Sequence, residues 1–326
     1  GGHFERSPMY HSIIIEDLID ILELNKLFPN CIDLEVINII KNLLPKTIDW
    51  LKIMLHQDND ISFFNDASLG VAQSPKKIFS FFNDHFPKIK LGVSHKKLSF
   101  KYLKESGFFS VESKTYKYLG DIGSIGPSYQ PGHSHAQTFS FELSLWGQRV
   151  FVNTGVSEYG NKKRRHLERS TIAHNTVSYI NKNSSDVWSG FRVAKRANVS
   201  NISIIHKKNI IQLQAQHNGY KNIFNKVYHK RSWEFQSRNI KISDDLNGSK
   251  NYQATLIVHP DVTLSKKSKS SFLIRLKNGR KIELLFNETD VKILDWYYAP
   301  NFGKLLKTKC LHIFAKKNII QTNIIW

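Results

Sequence analysis

Apolar residues in the first 90 positions recur at helical spacing, and beyond them they alternate. Ile13, Ile14, Leu18, Ile21 and Leu22 share one helical face, with Glu16 and Asp17 near the N-terminal end, where the helix dipole favours negative charge. Asp33 suits the N-cap of a second helix through Val36, Ile37, Ile40 and Leu44, which Pro45 is expected to end. A third helix is predicted over about 47–56. Ser74-Pro75 opens a fourth, with proline at its first position and Ile78, Phe79 and Phe82 on its apolar side. Short connections predict antiparallel neighbours, as in a bundle or an α/α toroid.

The period changes after about residue 88. Phe139, Phe141, Leu143 and Leu145 alternate with Thr138, Ser140, Glu142 and Ser144, the signature of a strand, and Gly147-Gln148 suits the two central positions of a hairpin turn. Further strand-like runs cover 201–216, 227–242, 254–258, 271–276, 281–286 and 311–325. Many short strands with polar turns predict an antiparallel β-sandwich. The expected fold is therefore α+β with two domains: a helical unit over 1–90 and a large antiparallel β-sandwich over 91–326, the seam lying within 88–106. No internal repeat is evident.

Charge narrows the partners only so far. Lys and Arg number 47 against 27 acidic residues, a formal +20, which favours polyanions such as nucleic acid, an anionic membrane surface or an acidic polysaccharide. An abundance of Lys, Ile and Asn fits a compositional bias equally well, and no nucleic-acid-binding signature accompanies the charge. The two cysteines, Cys31 and Cys310, form neither a CxxC pair nor a disulfide framework. No apolar run reaches the length of a membrane-spanning helix. The chain opens on Gly1-Gly2-His3 without a methionine or a signal segment, so its start reads as a fragment boundary, with a targeting segment upstream left open.

Candidate chemistry gathers in four places. In PGHSHAQTFSFELSLWGQRVFVNTG (131–155), His133 and His135 stand at i and i+2 of an extended segment and so point the same way. The hairpin that follows returns Asn153 toward them, and AHNT (173–176) adds His174. Three such groups suit metal binding, proton transfer or both, against the plainer reading of hydrogen-bonded loop and core histidines. In GGHFERSPMYH (1–11), Tyr10 stands just before the first predicted helix. A tyrosine becomes an acid or base when cations or burial tune it, and Arg6 and His11 are close enough in sequence to lower its pKa; an ordinary core tyrosine is the alternative. KKRR (162–165) with His166 and Arg169 could grip carboxylates or sulfates through guanidinium forks, or simply be solvated. DVWSGFRV (186–193) offers Trp188 for stacking on a sugar and Arg192 for an anion, with core packing of Trp188 and Phe191 the alternative.

Together these segments resemble the C-terminal portion of a heparinase II/III-type polysaccharide lyase. The likeness runs through the blocks at 1–11 and 131–155, FFNDASLGVAQSP (63–75), RSTIAHNTVSY (169–179), VWSGFRVAKRA (187–197), HNGY (217–220) and the late FG at 302–303, and so covers essentially the whole chain. The resemblance implies the end of an incomplete α/α toroid followed by a β-sandwich, with the active site in the cleft between them. It implies cleavage of an acidic, uronate-containing glycan by β-elimination, with Tyr10 and His133 as the acid–base pair. Glu5, Arg165, Arg169, Trp188 and Arg192 become the candidates for holding substrate. His135 and His174 match ligands of a structural divalent metal, usually zinc, and Asn153 stands where the family places an aspartate. Gln137 replaces the usual acidic residue after HxHA, and the family's carboxylate-neutralising Asn or His lies upstream of the tyrosine. A uronic acid C5-epimerase and a non-catalytic glycan-binding fragment are the rival readings. The family further implies a periplasmic or extracellular location and a polysaccharide rather than nucleic acid as partner.

Overall fold

The computed structural model describes residues 1–88, 97–179, 182–221, 226–247, 252–287, 289–316 and 318–326. Helices come first: α1 (Pro8–Leu27), α2 (Leu34–Ile53) and α3 (Pro75–His85). Ser7 caps α1 by accepting the Tyr10 N–H at 3.2 Å, with Pro8 in the first turn, so Tyr10 lies inside the helix rather than before it. The helix is rotated from the expected face. Met9, Ile15, Ile19 and Leu22 are buried, while Ile13, Ile14, Leu18 and Ile21 are only partly so, and Glu16 and Asp17 fall beyond the first turn.

Pro45 does not end a helix. α2 runs through it, merging the second and third predicted helices. A proline inside a helix costs about 3 kcal/mol, but Ile37, Ile40, Leu44, Ile48 and Leu51 form one unbroken buried stripe across it, and that packing decides the outcome.

The β region is antiparallel throughout its named sheets. Five sequential strands form the first sheet: β1 (Ser99–Leu103), β2 (Phe108–Glu112), β3 (Tyr116–Asp121), β4 (Phe141–Leu145) and β5 (Gln148–Phe151). The chain then passes α4 (Lys163–Arg169), β6 (Val177–Tyr179) and the ribbon of β7 (Val187–Trp188) and β8 (Arg192–Val193). Next come β9 (Val199–Lys207), β10 (Ile210–His217), β11 (His229–Phe235) and β12 (Asn239–Asp245), so the runs predicted at 201–216 and 227–242 are each a hairpin. β13 (Tyr252–Ile257), β14 (Thr263–Lys266), β15 (Ser271–Arg275), β16 (Lys281–Phe286), β17 (Thr289–Tyr298), β18 (Leu306–Ala315) and β19 (Ile319–Ile325) complete the chain. An eight-stranded sheet has the order β14-β15-β16-β19-β12-β11-β10-β9, and a four-stranded one the order β17-β18-β13-β6. The boundary expected at 90/91 falls in 89–96, outside the described residues.

The main core lies between the five- and eight-stranded sheets, where Phe109, Tyr118 and Phe141 meet Trp233 and Phe235; Trp233 Nε1 donates to the Tyr118 hydroxyl at 2.7 Å. A second core joins α1–α3 to Val152, Ile257, Tyr298 and Cys310 of the β region. This docking explains a departure in β4. Its polar face is buried: Glu142 accepts from the Phe63 N–H (3.0 Å) and the Asn153 N–H (2.7 Å) and pairs with His56 Nε2 (2.7 Å). The alternation that reads as core and solvent is core and domain contact. The β4–β5 turn is Trp146-Gly147, both at positive φ, one residue earlier than expected.

Candidate active site

The site forms where the start of α1, the loop 65–66, the HxH loop and the loop beyond β5 converge. Tyr10, three residues into α1, lays its ring on His133, with centroids 4.3 Å apart and planes 9° from parallel. Its hydroxyl is 2.9 Å from that of Tyr159. Glu5 Oε1 sits 3.0 Å from His133 Nδ1, out of line for a hydrogen bond, and Glu5 Oε2 is 3.9 Å from His3 Nδ1. Glu5 is thus buried against two imidazoles.

Arg6 and His11 do not face the Tyr10 phenol. Arg6 donates to the Ser124 carbonyl, and His11 Nε2 meets the Thr47 carbonyl at 2.8 Å. The Tyr10 pKa is accordingly raised, not lowered: burial raises it, the Tyr159 hydrogen bond opposes, and the charges of Asp66 and Glu5 add to the rise. Tyr10 therefore rests as a neutral phenol. Burial and Asp66 likewise hold Tyr159 protonated.

Behind the rings lies a buried chain of charges. Asp66 takes both terminal nitrogens of Arg165, with Nη2 at 2.7 Å from Oδ2, and accepts from His135 Nε2 at 2.7 Å. Its backbone N–H holds the His133 carbonyl at 3.0 Å, and its own carbonyl accepts the Ser7 hydroxyl. Burial alone would raise the Asp66 pKa. The His135 hydrogen bond and the Arg165 guanidinium outweigh it and keep the carboxylate ionised. Arg165 Nε donates to the Gly190 carbonyl at 3.0 Å, and its guanidinium lies 4.9 Å from the Tyr159 ring centroid and 5.2 Å from that of Phe191. Gly190 is at φ +64°, and a Cβ there would come within 2.7 Å of the Gly160 carbonyl, so this turn needs glycine.

The substrate candidates separate. Arg165 and Arg169 are buried with their donors spent inside the protein, which differs from the expected anion grip. Arg169 bonds the carbonyls of Ser134, Trp188 and Arg192, fixing the β7–β8 ribbon beside the HxH loop. Trp188 and Arg192 of that ribbon are exposed. Phe191, between them, stands edge-on to His133 at 6.1 Å.

His135 and His174 meet, Nδ1 to Nε2, at 3.1 Å. Their outer partners assign the protons. His135 Nε2 donates to Asp66, and His174 Nδ1 donates to the Ser170 carbonyl at 2.8 Å. Burial lowers both pKa values, that of His135 to about 4, so both rings are neutral. Two bare nitrogen lone pairs then face each other, an arrangement that suits a shared cation. Asp66 stands outside the pair, on the far nitrogen of His135, as carboxylates behind metal-bound histidines do. Asn153, the expected third ligand, donates through Nδ2 to the Phe63 carbonyl at 2.9 Å, and its Oδ1 accepts a longer 3.3 Å bond from the Asn175 N–H. Among the described residues no three His, Cys, Asp or Glu side chains are placed to hold one ion. The residues thus offer a cation two nitrogen donors. Gln137, where an acid was expected, bridges the Asn65 N–H (2.7 Å) and Asp121 (2.8 Å).

Sequence reasoning missed Asp66 and Tyr159. The one signal for Asp66 was an ionisable residue within the apolar stretch at 63–69, which must find a partner if buried.

A helical segment docked on antiparallel sheets, with a tyrosine–histidine pair at their junction, defines the class of molecule. Residues 95–323 match the family model Heparinase II/III-like, C-terminal, and the chain belongs to that family. The fold is similar to heparan sulfate lyase HepC from Pedobacter heparinus (TM-score 0.75, 17% identity, covering 99% of this chain and 52% of that one). It is also similar to heparinase III (TM-score 0.78, 14% identity, 99% and 54%). The chain spans about half the length of these structures. Among curated proteins, none matches the sequence.

Proposed function

We propose that this protein takes part in β-elimination on an acidic, uronate-containing polysaccharide. The observation that carries the reading is the stacked Tyr10–His133 pair, backed by the Tyr159 hydroxyl. In that reaction a base removes the uronate C5 proton, the C4–O bond breaks as the C4–C5 double bond forms, and an acid protonates the departing oxygen. A phenol kept neutral by burial suits the acid, which assigns Tyr10 to the leaving oxygen and His133 to the C5 proton. Tyr159 donates toward the Tyr10 oxygen as that proton leaves. His135 and His174 would hold a divalent cation, with Asn153 as the adjacent oxygen donor; when bound it supplies fixed positive charge that ties the two loops together. The uronate carboxylate is neutralised, by the family resemblance, from a residue upstream of Tyr10.

The test is ultraviolet absorbance from unsaturated uronate when the protein meets heparosan, hyaluronan, alginate and bacterial capsular glycans. Tyr10→Phe is expected to lower the rate by about 10²–10⁴-fold. No product from any uronate glycan would sink the proposal, and solvent deuterium entering C5 without cleavage would replace it with epimerisation.

A further inference from the structure

A cavity of about 780 Å³ opens between the C-terminal end of α2 and the first sheet, and it shares no lining residue with the site around Tyr10. Among the described residues four lysines line it: Lys52 from α2, Lys101 from β1, Lys114 from the β2–β3 turn and Lys117 from β3. Lys117 is the informative one. Its side chain is 7% exposed, yet among the described residues Nζ makes a single hydrogen bond, to the Lys52 carbonyl at 3.1 Å. Glu112, its ion-pair partner, is 3.8 Å away, too far to take a hydrogen bond, and Lys52 and Asp49 stand 3.6 Å apart. An ammonium has three donors, so the described residues leave two of them uncommitted at a cavity wall. Burial also pushes the Lys117 pKa down, a cost that a bound anion relieves.

The rest of the wall says what kind of anion fits. Ser99, Ser110 and Ser113 offer hydroxyls, Gln57 and Asn59 offer amides, and the half-buried Trp146 offers an apolar ring. The volume lies within the usual range for small-molecule sites and far exceeds an inorganic anion. Paired hydroxyl, amide and indole surfaces suit a sugar ring, and the ammonium groups suit its carboxylate or sulfate. We propose that this cavity is a second, non-catalytic binding site for an acidic saccharide, held through Lys101, Lys114 and Lys117.

The inference stands apart from the lyase reading, because binding here needs no turnover. Calorimetric titration with a uronate tetrasaccharide, unsulfated and sulfated, is run on the Tyr10→Phe protein and on the same protein carrying Lys101→Gln and Lys114→Gln, both surface changes that spare the core. Lysine acetylation read by mass spectrometry locates the ligand. The expected result is a saccharide site weakened at least tenfold by the lysine changes, with Lys101 and Lys114 protected from acetylation by the saccharide, whether or not a further site is seen around Tyr10. Unchanged stoichiometry and affinity in the lysine variant, absence of protection, or displacement by inorganic sulfate at the same concentration as saccharide would each overturn it. Loss of lyase activity on every glycan would leave these readouts intact.

Discussion

Two buried clusters in this molecule are built from the same four side chains, an arginine, an aspartate and two histidines, and end in opposite states. Beside the Tyr10 pair, Arg165 grips Asp66, Asp66 accepts from His135, and His135 meets His174. Across β10–β12, Arg231 grips Asp244 (Nε to Oδ1, 2.6 Å), Asp244 takes His229 Nε2 at 2.6 Å, and His229 Nδ1 meets His217 Nε2 at 3.0 Å. The difference is one backbone group. His217 Nδ1 accepts from the Gly219 N–H at 3.1 Å, so its proton sits on Nε2 and completes the bond to His229. His174 Nδ1 instead meets a carbonyl, which draws the proton outward and leaves two lone pairs face to face. A donor at the end of the chain closes the network; an acceptor leaves room for a cation. The closed cluster serves the fold: Arg231 also holds the Phe139 carbonyl (2.7 Å), fixing a non-glycine residue at φ +67° just beyond the HxH loop, and the Asn175 carbonyl beside His174.

The sharpest way to break this contrast is to open the closed cluster. Asp244→Ala strands the Arg231 guanidinium and His229 in the core, and urea unfolding should register a loss of about 3–5 kcal/mol. Zinc comes next. After treatment with chelator, zinc at a hundredfold excess over its Kd should stabilise the protein by about 2.7 kcal/mol, and His217→Ala should keep that response. Persistence of the response in His174→Ala would end the cation reading. Acid probes the closed pair. His217 and His229 are both held below the ordinary value by burial, so the unfolded chain binds more protons as pH falls below about 6.5. Their stabilisation is complete above that pH and is lost on acidification, with a slope approaching about 1.4 kcal/mol per pH unit for each histidine; His217→Gln should remove one such increment. The smallest effect belongs to Tyr159→Phe, which deletes one hydrogen bond to Tyr10. Turnover should fall by about threefold to tenfold, the worth of about 0.5–1.5 kcal/mol, with the urea midpoint nearly unchanged.

Much of this architecture could be read from residue order alone. The switch from helical to alternating spacing locates helices before sheets, and the HxH segment with His174 marks the cluster that the structure assembles. Other features depend on contacts that no local pattern carries. Pro45 stays helical because the buried stripe from Ile37 to Leu51 continues across it. Arg165 and Arg169 read as surface cations, since a basic run with a further arginine beside it usually is; short helix α4 turns those two inward onto Asp66 and four carbonyls. The closed cluster went unseen because its histidines and Asp244 come from three strands of one sheet, at a register that spacing cannot supply. Proton placement in either cluster is beyond any sequence pattern, because a backbone N–H or carbonyl decides it.

Asp66 has a consequence for how the molecule comes together. Through its carbonyl, its N–H and its carboxylate it joins residues 59, 67, 69 and 99 positions away, and the Tyr10–Tyr159 contact spans 149. The hairpins of both sheets can zip from neighbouring residues, whereas these contacts must wait for long loops to close. The Tyr10–His133 pair is therefore among the last things to form, and a chain whose helices have not yet docked carries none of it. The elimination activity proposed above would double as a gauge of finished assembly.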